Sequence, residues 1–268
     1  MTAFPSNLHT HSIFSDGKST LEEYVQAALM RGFKSLGFSE HAPGDDCEIP
    51  EEKMPEYMAE IAMLKQKYAS QIELYTGLEF DYYAPAKEWR HKLDYTIGSV
   101  HSIKVPGGER LAVDYLHEDM AKLVDILGEE DMVREYYRLV RGVLTENPDI
   151  IGHLDLITKL NTQNRYFNPN AKYYINAAEE TIAAIANAGV IAEVNTGAIA
   201  RGYTTKPYPS KRLMQILYSY NVPLTISSDA HSADMIDCAF EYAIELLRGV
   251  GYNNVMLYCK GRFEEFSI

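Results

Sequence analysis

The sequence predicts an α/β fold in which parallel strands close into a barrel. Strand-like and helix-like segments alternate along the chain, which is typical of βα units. Seven short apolar stretches each lead into a His, Asp or Glu, and 268 residues with 46% hydrophobic content can form one large core. Because barrel enzymes assemble their sites at the C-terminal ends of the strands, we expect these side chains to meet on one face.

Helical segments separate the strand-like stretches. The first begins at Leu21, where Ser19 or Thr20 can cap it, and ends at Gly32. Helical spacing also covers residues 50–68, 120–144, 171–188, 210–220 and 233–247. The β-rich runs cover residues 72–78, 95–100, 190–194, 224–227 and 255–258. No linker or short repeat divides the chain, which favours a single domain over residues 1–268.

The seven apolar stretches lead into polar side chains, mostly imidazoles and carboxylates, whose gathering would suggest a metal cluster. In chain order these are His9 and His11, Glu40 and His41, Glu79, His101, His153 and Asp155, Glu193 and Asn195, and Asp229 and His231. Side chains two apart on a strand share a face and can bind one ion. Any one of these motifs alone more often consists of structural residues than of metal ligands. Six of the eight histidines lie at predicted strand ends, however, and this coincidence favours a metal cluster.

The composition predicts the cellular compartment and limits the classes of binding partner. The three cysteines, Cys47, Cys238 and Cys259, are far apart and form no C-x-x-C pair, so we expect a reduced, cytoplasmic setting. The sequence shows neither a signal peptide nor a membrane span, which predicts a soluble protein without a membrane partner. The net charge of -13 argues against nucleic-acid binding. A small anion remains a possible ligand, because bound cations can reverse the local charge.

The ordered motifs resemble those of the polymerase and histidinol phosphatase (PHP) family. They comprise His9-x-His11 with Ser15-Asp16-Gly17, Glu40-His41, Gly77-Leu78-Glu79, Gly98-Ser99-Val100-His101, Asp149 to Asp155, Glu193 to Thr196 and Ser228-Asp229-Ala230-His231. Within the family the chain is most similar to the histidinol-phosphatases, through residues 77–83, 150–160 and 195–210. Many relatives carry aspartate at the position of Glu40.

This resemblance implies a distorted (β/α)7 barrel that holds three divalent metal ions, zinc, iron or manganese. Carried over by position, the ligands are His9, His11, Glu79 and Asp229 for the first ion, Glu79, His101 and His153 for the second, and Asp16, His41 and His231 for the third. Glu79 would bridge two ions, and Glu79, Asp229 and His231 are the candidate catalytic residues. A water shared by the bridged ions would lose a proton near neutral pH and attack phosphorus.

Three polar residues in or beside loops are candidates for phosphate binding. Arg201 and Arg165 each carry a planar guanidinium that matches phosphate oxygens. Asn195 ends a strand, where it can orient substrate or a ligand, or simply cap the loop. Asp155 is either an acceptor for a metal-bound imidazole or the start of a helix. We interpret His91 and His117 as structural, and the acidic loop residue Asp114 as a weak candidate for pairing with a substrate amine.

The activity implied by the resemblance is hydrolysis of a small phosphate monoester, L-histidinol phosphate, to L-histidinol and orthophosphate in histidine biosynthesis. Two alternatives stay open. One is a related phosphoesterase that acts on nucleotides or phosphotyrosine, and the other is a non-catalytic metal-binding domain. The complete set of matching ligands argues against the second alternative. The sequence does not indicate the oligomeric state.

Overall fold

The computed structural model describes residues 4–44 and 47–268. These residues form eleven strands: β1 (Ser6–Asn7), β2 (Ser35–His41), β3 (Glu73–Asp81), β4 (Tyr95–Ser99), β5 (Ser102–Lys104), β6 (Arg110–Ala112), β7 (Ile150–Ile151), β8 (Ile191–Asn195), β9 (Leu224–Ser227), β10 (Asn254–Cys259) and β11 (Arg262–Ser267). Seven of them build one parallel sheet in the order β1-β2-β3-β4-β7-β8-β9. A parallel bridge between Thr10 and Ala230 joins the two ends of this sheet, so the predicted barrel is confirmed as a nearly closed one.

Helices surround this barrel. The structure contains α1 (Leu21–Met30), α2 (Met54–Lys67), α3 (His117–Leu127), α4 (Glu129–Val143), α5 (Lys172–Ala188), α6 (Gly197–Ala200), α7 (Lys211–Ser219) and α8 (Phe240–Val250). The predicted cap of α1 is confirmed at Thr20, whose hydroxyl accepts from the Glu23 amide at 3.2 Å. The Glu23 carboxylate in turn accepts from the Thr20 amide at 2.7 Å, which completes a capping box. None of the helices within the described ranges is long and apolar enough to cross a membrane.

Two predicted helices are each interrupted. Residues 120–144 do not form one helix, because Gly128 has a φ of 79° and separates α3 from α4. Residues 233–247 begin with the 3-10 turn Ala233–Met235, and α8 starts only at Phe240, after Ala239 with a φ of 59°. A positive φ is incompatible with a continuing right-handed helix. The apolar spacing runs through both breaks, so periodicity alone could not locate them.

Two antiparallel hairpins add to the barrel. β5 pairs with β6 directly after β4, and β10 pairs with β11 at the end of the chain. The predicted run 255–258 lies in β10, so it is a hairpin strand outside the parallel sheet. Its Tyr258 packs with Tyr75 and Tyr95 in a buried cluster near the first residues of β3 and β4. This hairpin therefore covers the N-terminal end of the barrel, opposite the predicted site.

The interior of the barrel is filled beneath the site by the ring of Tyr95. A Cβ atom at Gly37 would lie only 2.3 Å from the Tyr95 hydroxyl oxygen, and one at Gly77 only 2.4 Å from the ring, so both strands need glycine there. The Tyr95 hydroxyl donates to the carbonyl oxygens of Leu8 at 2.5 Å and Phe38 at 3.1 Å. These contacts connect β4 to the segments that precede His9 and His41, directly beneath the site.

Candidate metal centre

The C-terminal ends of the barrel strands and the turn that follows β1 bring the nine predicted metal ligands into one cluster. Its members are His9, His11, Asp16, His41, Glu79, His101, His153, Asp229 and His231. The six imidazoles form a continuous series of ring contacts, with centroids 4.4 to 5.8 Å apart. Parallel register explains the convergence, since it pairs His41 of β2 with Glu79 of β3.

Glu79 lies at the centre of this cluster and is almost completely buried. Five imidazoles surround its carboxylate, namely His9, His11, His41, His101 and His153. Its Oε2 lies 3.2 Å from His9 Nε2 and 3.3 Å from His41 Nδ1, whereas its Oε1 lies 2.9 Å from His153 Nε2. The two oxygens thus point toward different imidazoles, as a carboxylate that bridges two cations requires.

Four atoms match the expected first ion. A tetrahedral ion with bonds of about 2.0–2.1 Å separates its ligand atoms by roughly 3.3 to 3.4 Å. His9 Nε2 lies 3.2 Å from Glu79 Oε2 and 3.7 Å from Asp229 Oδ1. His11 Nε2 lies 3.5 and 3.4 Å from the same two oxygens. A cation between these four atoms would therefore need little movement of the side chains.

Buried ring nitrogens without partners support the same interpretation. Within the described residues, His9 Nε2 and both ring nitrogens of His11 are buried and make no well-formed hydrogen bond. Leaving buried polar atoms unpaired is costly, so such atoms in a native structure need an explanation, and a bound ion is one that suits a cluster of imidazoles and carboxylates. Nitrogen and oxygen donors together suit zinc, iron or manganese without selecting sharply among them. The residues present thus fit a divalent cation.

The remaining ligands form two further groups. Glu79 Oε1 lies 2.9 Å from His153 Nε2 and 3.6 Å from His101 Nε2, as expected of a second ion site. Asp16 contacts His231 at 3.1 Å and His41 at 3.8 Å, as expected of a third. His11 Nδ1 lies 3.9 Å from Asp16 Oδ1, so this histidine adjoins two groups. The assignment of each ligand to a particular ion stays a prediction.

The protonation states of the carboxylates favour cation binding. Burial opposes ionisation of Glu79, but the neighbouring histidines, led by His9, hold the pKa of Glu79 well below its usual range. Burial likewise opposes ionisation of Asp229, and Arg201 followed by His9 holds the pKa of Asp229 low. Both carboxylates are therefore charged at neutral pH. Burial, together with His41 and His231, lowers the pKa of His11 to about 3, so His11 is neutral and can donate a lone pair.

His9 behaves differently when no cation is present. Burial lowers its pKa, but the charges of Glu193 and Glu79 outweigh burial and raise the pKa of His9 well above its usual value. A bound cation must therefore displace a proton from His9. Because a protonated imidazole cannot bind metal, cation affinity at this position should fall as the pH falls through the pKa of His9.

Glu193 is the principal site residue whose role the sequence analysis missed. Its Oε1 lies 2.6 Å from His9 Nδ1, and its Oε2 accepts from the His153 amide at 2.8 Å. Glu193 thus orients the ring of His9 and the backbone of His153. The alternative acceptor, Asp155, instead accepts from the Ser210 amide at 2.9 Å and has no described contact with an imidazole. Period-two spacing from Asn195 was the available signal, because it places Glu193 on the same face of β8.

The phosphate-binding candidates differ in their placement. Arg201 donates to the Asp229 backbone oxygen at 2.9 Å and to Asp229 Oδ2 at 3.0 Å, and it lies 2.9 Å from His231 Nδ1. Asn195 donates to Glu193 at 2.9 Å and Asp229 at 3.3 Å, so it contacts a ligand and the residue that orients another. Arg165 is exposed and lies over the Tyr166 ring, and its role in phosphate binding stays a prediction.

Other polar residues have structural partners. Asp114 accepts from Lys159 at 2.8 Å, so its charge is already paired and it is a poor candidate for a substrate amine. His117 Nδ1 lies 2.7 Å from the Tyr166 hydroxyl, in agreement with a structural role. His91 lies in the 3-10 turn Arg90–Lys92, and it is exposed.

Comparisons with known proteins agree with the fold and show the family of this chain. A "probable histidinol-phosphatase" of Schizosaccharomyces pombe is 28% identical over 96% of this chain and 90% of its own. The histidinol-phosphatase of Bacillus subtilis is 26% identical over 89% of this chain and 97% of its own. A crystal structure of histidinol phosphate phosphatase from Lactococcus lactis, complexed with zinc, L-histidinol and phosphate, has a TM-score of 0.70 at 21% identity, covering 98% of this chain and all of that one. The family model for the PHP domain matches residues 7–197, and the chain therefore belongs to the PHP domain family.

Proposed function

We propose that this chain, acting as one domain, is a histidinol-phosphatase that hydrolyses L-histidinol phosphate to L-histidinol and orthophosphate. The observation that carries the proposal is the Glu79 carboxylate surrounded by five imidazoles at the strand ends. The names of the relatives at 26–29% identity support the substrate. The three free cysteines among the described residues fit a reducing compartment such as the cytoplasm.

The centre would hold three divalent ions, each zinc, iron or manganese. His9, His11, Glu79 and Asp229 would bind the first, Glu79, His101 and His153 the second, and Asp16, His41 and His231 the third. When bound, such ions supply a hydroxide nucleophile near neutral pH and neutralise the charge that grows on the phosphoryl oxygens. Glu79 and Asp229 contribute the ionised oxygens, while Glu193 fixes the ring of His9 through Nδ1.

Arg201 is suited to bind the phosphoryl group of the substrate. Its guanidinium makes contacts to Asp229 and His231 through Nη1 and Nη2, and the fork still carries further N–H donors. Those donors can bond phosphoryl oxygens next to the ligand cluster. Hydrolysis then forms one bond from a water oxygen to phosphorus, breaks the bond from phosphorus to the ester oxygen, and leaves that oxygen to take a proton as the alcohol.

A panel of phosphate esters tests this function. Protein loaded with zinc, iron or manganese should release orthophosphate from L-histidinol phosphate with a higher kcat/KM than from nucleoside monophosphates or phosphotyrosine. Metal-free protein is the control and should be inactive with every ester. Preferential turnover of a nucleotide or of phosphotyrosine would replace the proposed substrate. An absence of phosphate release from all esters by metal-loaded protein would favour a non-catalytic metal-binding domain.

Glu193→Gln is expected to weaken metal binding while the fold is kept. The amide removes the charge that holds the His9 ring, and changes of this kind in outer-shell partners cost about 10- to 100-fold in metal affinity or activity. Equilibrium dialysis with zinc would measure the loss. Glu180→Gln is a matched control, because Glu180 is exposed on α5 and its ion pair with Arg141 is 3.7 Å long. Equal zinc affinity in the two variants would remove Glu193 from the site.

A further inference from the structure

Glu40 is buried beside a metal-ligand candidate but faces away from the metal centre. Alternation along β2 puts Gly37 and His41 on the inner face, where Gly37 meets Tyr95 and His41 meets Glu79. Phe38 and Glu40 share the outer face, and Phe38 packs there against Tyr24 of α1. Glu40 is nonetheless fully buried. A buried carboxylate needs hydrogen-bond partners to offset the loss of water.

Residues 12–15 supply the partners of Glu40. The Ser12 amide donates to both carboxylate oxygens, at 3.0 Å each, and the Ser12 hydroxyl donates to Oε1 at 2.6 Å. The Ser15 hydroxyl donates to Oε2. Both oxygens are therefore engaged by one short segment of chain, so Glu40 serves that segment and not a cation.

Asp16 directly follows residues 12–15 in the chain. The Ser12 carbonyl accepts from the Ser15 amide at 3.1 Å and from the Gly17 amide at 2.9 Å, which folds residues 12–17 into a compact turn. A Cβ atom on Gly17 would lie 1.9 Å from the His11 carbonyl oxygen, so this turn packs directly against a ligand. Because the turn is compact, fixing Ser12 and Ser15 also fixes Asp16.

We propose that Glu40 is a positioning residue that holds residues 12–17 so that Asp16 faces His41 and His231, and that it thereby sets the affinity of the third ion. This inference rests on the proposed metal centre. The role requires a group that only accepts hydrogen bonds, since three donor groups, the Ser12 amide and the hydroxyls of Ser12 and Ser15, point at it. An amide in its place would present a donor to one of these groups.

Glu40→Gln and Ser15→Ala test the inference, with zinc as the probe. We expect Glu40→Gln to bind the first two zinc ions with the affinity of the wild type. It should bind the third ion about 10- to 100-fold more weakly than the wild type does. Ser15→Ala removes one hydrogen bond, so it should weaken the same ion less. The double variant should bind the third ion only slightly more weakly than Glu40→Gln does, because the two residues share one interaction. In metal-free protein, the Ser12 amide should exchange its hydrogen faster in both single variants.

Ser35→Ala is the matched control. Ser35 lies at the other end of β2, is buried, and donates to the Ser6 hydroxyl at 2.8 Å. Its loss should lower the melting temperature without changing zinc stoichiometry. The inference is overturned if Glu40→Gln lowers only the melting temperature and keeps three tightly bound ions. If Glu40→Gln does not fold, unchanged affinity and exchange in Ser15→Ala overturn it. A wild-type chain that binds fewer than three ions would overturn the proposed centre as well.

Discussion

Glu79→Gln is expected to lose zinc at two positions at once and to lower kcat/KM for the phosphate ester by more than about 100-fold. Changes in outer-shell residues already cost about 10- to 100-fold, and Glu79 is a proposed ligand of two ions. The amide removes a charge and replaces one oxygen with an N–H2 group. That group would point at an imidazole nitrogen, either His9 at 3.2 Å or His153 at 2.9 Å. Elemental analysis and initial-rate assays on the same preparation would measure both effects.

Glu73→Gln is the control for this experiment. Glu73 begins the same strand, β3, but lies at the opposite end, where it accepts from the Tyr75 hydroxyl and the Lys260 amide. It should keep full zinc content and activity. Full metal occupancy in Glu79→Gln would contradict the bridging role. Loss of metal with unchanged turnover would show that the bridged ions are not needed for hydrolysis.

The strand-end motifs predicted the position of the site because parallel strands fix it geometrically. Residues at the C-terminal ends of neighbouring strands come together whatever the intervening sequence is. Register shows this directly, since His41 pairs with Glu79 and Asp81 pairs with Ser99. A pattern of apolar stretches ending in His, Asp or Glu thus carries three-dimensional information. The gathering of eight of the nine ligands could be predicted in this way, whereas Asp16 lies in the turn after β1 and was assigned by the family resemblance alone.

Contacts that depend on side-chain direction could not be predicted so well. Asp155 and Glu193 both stand at strand ends, and only the structure shows that Glu193 reaches His9 while Asp155 accepts from Ser210. The break at Gly128 was missed for a related reason, because apolar periodicity continues across it. Glu40 looked like a companion of His41, yet strand alternation sends it to the opposite face. Strand alternation is a local pattern, but the partner that each of these side chains reaches depends on long-range packing.

Arg201→Ala is expected to weaken inhibition by orthophosphate about 10- to 150-fold, because hydrogen bonds to charged groups contribute roughly 1.5–3 kcal/mol. Its zinc content at neutral pH should stay close to that of the wild type, since the bound ions still hold Asp229 in its ionised form. Arg201 nevertheless lowers the pKa of Asp229 in the wild type. Without the guanidinium this pKa rises, so protons compete with zinc at a higher pH and metal is lost earlier on acidification.

Two measurements separate these effects of Arg201. Orthophosphate inhibition at neutral pH reports the phosphate contact, whereas zinc content across an acid titration reports the contact with Asp229 at 3.0 Å. Arg212→Ala is the control, because Arg212 is exposed and makes only a long 3.4 Å bond to Asn170 among its described hydrogen bonds. It should match the wild type in both measurements. Unchanged orthophosphate inhibition in Arg201→Ala would exclude this arginine from the phosphate site. This holds even if the variant loses zinc at a higher pH than the wild type, because the guanidinium would then act on Asp229 alone.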